Sequence, residues 1–136
     1  MPPTMRFTKI IVGDLARAER FYAALGLRPF DRSLSGEGRF EQEQIWLSAS
    51  GDITSHVLLI SRFLNLPEPS RPDFPGELWL ILGGMDVVAA CTIVQAHGGA
   101  ILREAVDAPK FGVRAAVVTD PDGHHIELTG PIPPTP

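Results

Sequence analysis

The sequence predicts an α+β protein made of two tandem βαβββ modules within one domain. Three observations lead there: a strand-to-aspartate spacing that occurs twice, an amphipathic helix closed by glycine after each aspartate, and strand-like runs after each helix. Self-similarity of this kind marks a repeated supersecondary unit.

In the first module the apolar run Phe7–Val12 leads to Asp14, whose carboxylate suits a helix N-cap because it accepts from the unpaired N–H groups of the first turn. Leu15, Ala18, Phe21 and Leu25 follow at helical spacing, and Gly26 supplies the stop. In the second module Trp79–Leu82 leads to Asp86, then Val87, Ala90, Cys91 and Val94 mark an apolar helix face, and Gly98-Gly99 ends it. Phe7 precedes Asp14 by seven residues, and Trp79 precedes Asp86 by seven.

Strands are expected at Leu27–Phe30, Arg39–Ser48 and Ile53–Ser61 in module one, and at Ile101–Val106, Val113–Thr119 and His124–Thr129 in module two. Between the last two, Asp120-Pro121-Asp122-Gly123 is a tight-turn signal. The modules fall at about residues 5–65 and 77–130 of a single domain spanning 1–136. The proline-rich stretch 66–76 reads as a linker, and the tail 131–136 reads as disordered.

Composition narrows the function classes. The 136 residues are 44% hydrophobic and 21% charged, ordinary for a globular domain. A net charge of −4, without a basic block, argues against nucleic acid and against an anionic membrane surface as partners. Cys91 is the sole cysteine, so no internal disulfide forms, in keeping with a reducing compartment. No signal peptide is read at Met1-Pro2-Pro3-Thr4, and no apolar run approaches a membrane span, so the expected location is the cytoplasm.

Side chains alternate along a strand, so parity assigns faces. Leu78, Leu80 and Leu82 are expected under the second helix, which turns Trp79 and Ile81 to a concave face. Ile10 and Val12 go to the first helix, leaving Phe7, Lys9 and Ile11 on the concave side. Ile126 and Leu128 point to the helix, leaving His125, Glu127 and Thr129 concave. A ligand would sit on that face.

Three stretches carry a family likeness: Ile11-Val12-Gly13-Asp14-Leu15, Gly98-Gly99-Ala100-Ile101-Leu102-Arg103-Glu104-Ala105, and Asp120-Pro121-Asp122-Gly123-His124-His125-Ile126-Glu127-Leu128. They resemble bacterial glyoxalase I and, through it, the vicinal-oxygen-chelate superfamily, over roughly Phe7 to Gly130. The resemblance implies that each module forms a half-barrel, that the protein is a homodimer, and that a divalent metal is held at four places. Those places, the first and last strand of each module, correspond here to Phe7, Leu59, Trp79 and Glu127. A register slip in module one would put Ile60 or Ser61 in place of Leu59. Phenyl, indole and aliphatic side chains do not ligate a divalent cation, so no metal and no other cofactor is expected.

Glu127 and His125 are the candidate catalytic residues. A carboxylate facing an apolar cavity beside Trp79 is poorly solvated in its charged form, which suits it to take and return a proton, and His125 on the same face could relay it. The ordinary readings are a Glu127 paired with Lys9 and a half-exposed strand-start His125. Phe7, Lys9, Leu59 and Trp79 are the candidate substrate-binding residues: rings where ligands would stand suit an aromatic guest, and Lys9 could meet its anionic group. The rings could equally be core filling, and Lys9 solvated. His56 falls on the wrong parity for the site, and Cys91 reads as an inert small hydrophobe.

Two function classes remain. One is a metal-independent lyase or isomerase acting on a hydrophobic, aromatic small molecule through Glu127. The other is a sequestering protein of the bleomycin-resistance type, which needs the pocket alone.

Overall fold

The computed structural model describes residues 2–65 and 78–134, and the expected linker lies outside them. The chain divides into two compact units, Met1–Ser70 and Arg71–Pro136. Each has the topology the repeat predicts.

In the first unit β1 (Phe7–Ile11) is followed by α1 (Leu15–Ala24), β2 (Arg28–Ser35), β3 (Gln42–Ser48) and β4 (Val57–Phe63). The sheet order is β1-β4-β3-β2, with β1 parallel to β4 and the other pairs antiparallel. A parallel pair needs a crossover, and here α1, β2 and β3 all intervene before β4 returns beside β1. In the second unit β5 (Trp79–Leu82), α2 (Val87–Ala96), β6 (Ala100–Ala108), β7 (Val113–Thr119) and β8 (His125–Pro131) repeat the plan in the order β5-β8-β7-β6.

Both aspartates cap as expected. Asp14 Oδ1 accepts from the Arg17 amide at 3.0 Å, and Asp86 Oδ1 accepts from the Ala89 amide at 3.1 Å. Gly26 then takes φ +110°, a left-handed turn that side chains rarely adopt.

Each helix buries one stripe on its sheet. On α2 the expected Val87, Ala90, Cys91 and Val94 are all buried, against Ala116, Val118, Ile126 and Leu128 of the same unit's core. On α1 the stripe is rotated from the expected one. Ala18, Phe21 and Tyr22 are fully buried, while Leu15 and Leu25 are only half-buried. Phe21 and Tyr22 meet edge to face at 5.0 Å, so two adjacent rings do the work assigned to the leucines.

Other departures have local causes. The Ile53–His56 stretch is not strand, because the Asp52 carboxylate accepts from the amide and hydroxyl of Thr54 and from Ser50 Oγ and winds the chain into turns. Strand β2 runs on to Ser35, past an irregularity between Pro29 and Asp31. Arg39 lies in a short 3-10 turn, Gly38–Phe40. Leu78 stands before β5 and is 50% exposed, so it does not join Leu80 and Leu82, which are half-buried. Strand β8 extends through Pro131, one residue into the expected tail.

Candidate functional site

The six sequence-predicted residues fall on two sheet faces, one in each unit. Phe7, Lys9 and Leu59 share the face of the first sheet that turns away from α1. Trp79, His125 and Glu127 share the face of the second sheet that turns away from α2.

In the second unit the parallel register sets Trp79 beside His125 and Ile81 beside Glu127. Burial alternates along β8: Ile126 and Leu128 are fully buried, whereas His125, Glu127 and Thr129 are half-buried. The expected parity therefore holds for this strand. The ring contact that Trp79 makes is with His125. The indole stacks on the His125 imidazole, with ring centroids 5.0 Å apart and planes at 18°. Register explains it, since parallel pairing puts position 125 directly opposite the tryptophan. Trp79 remains 44% exposed.

The loop entering β8 is built around Asp120, which is 2% exposed. Its Oδ1 accepts from the amides of Asp122 (3.0 Å) and His124 (2.8 Å), and its Oδ2 lies 2.7 Å from His124 Nδ1. Gly123 closes the predicted tight turn by donating to the Asp120 carbonyl, at φ +93°. Ligand atoms of Asp120, Asp122 and His124 lie within 4.8 Å of one another. Both Asp120 oxygens are engaged in holding the turn that delivers His125 to β8.

In the first unit Phe7 pairs with Val57 and Lys9 with Leu59. The two registers superpose the modules residue for residue: Val57 stands to Phe7 as His125 stands to Trp79, and Leu59 is the counterpart of Glu127. Neither Ile60, buried toward α1, nor Ser61 takes that place. Phe7, Leu59 and Trp79 bring no donor atom, and Glu127 brings one carboxylate. That set does not fit a divalent cation, which needs several oxygen, nitrogen or thiolate donors.

Sequence reasoning missed what surrounds Lys9. Its Nζ donates to Gln42 Oε1 at 2.8 Å, and the Gln44 amide donates to that same oxygen and to Ser61 Oγ. Gln44 Oε1 in turn accepts from Ser33 and Ser35. The nearby Trp46 donates to Ser33 Oγ at 3.2 Å and meets Phe7 and Phe30 edge-on at 5.7 and 6.3 Å. The alternation Gln42, Gln44, Trp46 along β3 was the available signal, a polar-aromatic face opposite Ile45 and Leu47. His56, outside the site as expected, is exposed and lies 2.7 Å from Thr8 Oγ1.

Comparison with known proteins agrees with this architecture. The family model described as Glyoxalase/Bleomycin resistance protein/Dioxygenase superfamily matches residues 4–128. A lactoylglutathione lyase from Haemophilus influenzae is 29% identical over 122 residues, covering 89% of this chain and 87% of that protein. The trypanothione-dependent glyoxalase I of Leishmania major superposes with a TM-score of 0.75 at 27% identity, covering 95% of this chain and 87% of that one. A glyoxalase family protein from Bacillus cereus gives a TM-score of 0.79 at 22% identity, covering 95% and 94%, a likeness of fold.

Proposed function

The chain belongs to the glyoxalase/bleomycin resistance protein/dioxygenase superfamily, and on that footing we propose that it is a metal-independent enzyme of lyase or isomerase type acting on an aromatic small molecule. The observation that carries the reading is the Trp79–His125 stack with Glu127 two residues further along the same face. The stack is a flat apolar platform for a ring. Glu127, half-buried beside Ile81 and Val117, is placed to remove a proton from a carbon of that guest and to return it to the same or a neighbouring carbon. His125 orients the guest and can pass the proton on.

The 29% identical lactoylglutathione lyase supports a lyase-type reaction. The donor set at Phe7, Leu59, Trp79 and Glu127 separates this chain from a chemistry routed through a metal bound there. A homodimer in the cytoplasm completes the reading. Among the described residues no helix is long and apolar enough to cross a membrane.

A second reading, sequestration of an aromatic compound, is supported by the Phe7, Phe30 and Trp46 cluster, which adds ring surface without adding an acid or base. Glu127→Gln separates the two. It keeps shape and hydrogen-bonding reach but cannot take up a proton. For the enzyme, exchange of the guest's acidic C–H with deuterated solvent stops while affinity stays within about threefold. For the sequestering protein, guest exchange in the wild type equals that in buffer.

A further inference from the structure

The antiparallel register of the second sheet extends the Glu127 row to its far edge. Glu127 pairs with Val117, and Val117 pairs with Arg103 on β6. Register shifts flank Arg103 on both sides, between Ile101 and Arg103 and between Arg103 and Val106. Bulges of this kind re-aim individual side chains.

One observation places Arg103 on the open face with Glu127. Its partner Val117 lies between Ala116 and Val118, which are buried toward α2, so Val117 points away from the helix. Cross-strand partners share a face, so Arg103 faces outward from the helix with Val117.

On the open face of the first sheet Lys9 donates to Gln42. Arg32 and Arg114 lie on the helix sides of their sheets, where Arg32 pairs with Glu19 of α1 and Arg114 holds Asp107 through two bonds of 2.7 and 3.2 Å. Arg103 is exposed, and among the described residues no hydrogen bond or ion pair engages it. Val117, the one residue between it and Glu127 in the row, is small and apolar.

We propose that Arg103 is the anion contact of this face and that the guest is an aromatic carboxylate, its ring on Trp79 and its acid group at Arg103. This rests on the reading of the Trp79 face given above. Three strand spacings separate β5 from β6, roughly 14 Å, of which the arginine arm covers a part; a guest of about two fused rings spans the rest. A planar guanidinium meets a carboxylate with two parallel bonds.

The test is calorimetric titration of the full chain and two variants with 2-naphthoate and with its neutral counterpart 2-naphthamide. The wild type is expected to favour the acid by about tenfold or more, the scale of a charge-assisted hydrogen-bond pair. Arg103→Gln should abolish the preference while naphthamide affinity stays within about threefold, which also shows that the variant is folded. Arg103→Lys should retain part of the preference. Equal binding of acid and amide by the wild type, as follows if the arginine closes on Glu127, or a preference that survives Arg103→Gln, would overturn the assignment and leave the Trp79 platform standing. Failure of both probes to bind would overturn the platform and the assignment together.

Discussion

Trp79 and His125 lie side by side on parallel strands with indole and imidazole stacked 5.0 Å apart, so the first and last strands of the second module are joined by side chains as well as by backbone. A ring pair of this geometry contributes about 0.5–1.5 kcal/mol beyond the area it buries. A double-mutant cycle with Trp79→Ala and His125→Ala should therefore give a coupling of that size in urea unfolding. Additive effects would mean that the rings are merely adjacent.

Gly130 is required by space and not by backbone angle. A Cβ there would lie 1.7 Å from the Met85 carbonyl oxygen, where the loop leaving β5 donates its Met85 amide to Thr129. Backbone cannot swing aside as a side-chain tip can. Gly130→Ala should cost about 1–3 kcal/mol, on the scale of an overpacked core, with a lower urea midpoint and a loss of protection from hydrogen exchange around Met85. An unchanged midpoint would show that the Met85 loop and β8 do not approach this closely.

Acid should loosen the hairpin after β3 before the cores fail. Asp52 is held below the ordinary aspartate value of 3.8 by hydrogen bonds from the Thr54 hydroxyl, Ser50 and the Thr54 amide. A depressed carboxylate contributes stability that is full above its unfolded value and is lost as pH falls through the lower folded value. Asp14, lowered first by the Arg17 amide, and Asp107, lowered first by Arg114, act in the same direction. Stability should therefore decline progressively as pH falls through and below 3.8, and Asp52→Asn should flatten part of that decline. A variant whose acid limb matches the wild type would remove Asp52 from the account.

Much of the fold was legible because its signals are local. Asp14 and Asp86 cap helices through their own side chains, and glycines end them, so the seven-residue spacing could be read directly along the chain. Strand parity sorted Glu127 and His125 from Ile126 and Leu128 because alternation is a property of neighbours. What escaped depends on pairing between distant residues. The indole's partner is decided by parallel register, which no local pattern encodes. Arg103 joins the Glu127 row only through two antiparallel registers and a bulge. Tyr22 took the place of Leu25 in the first core because ring packing, not helical spacing alone, sets how a helix rolls on its sheet.

The central claim is that the exposed side of the Trp79–His125 stack receives an aromatic guest. It is tested most directly by titrating 2-naphthamide, which lacks the charge that Arg103 would hold, into the wild type and into Trp79→Ala and following the heat of binding. Truncating a well-packed aromatic anchor costs about 1–3 kcal/mol, so affinity should fall by roughly five- to 150-fold. Unaltered affinity in Trp79→Ala would contradict the account.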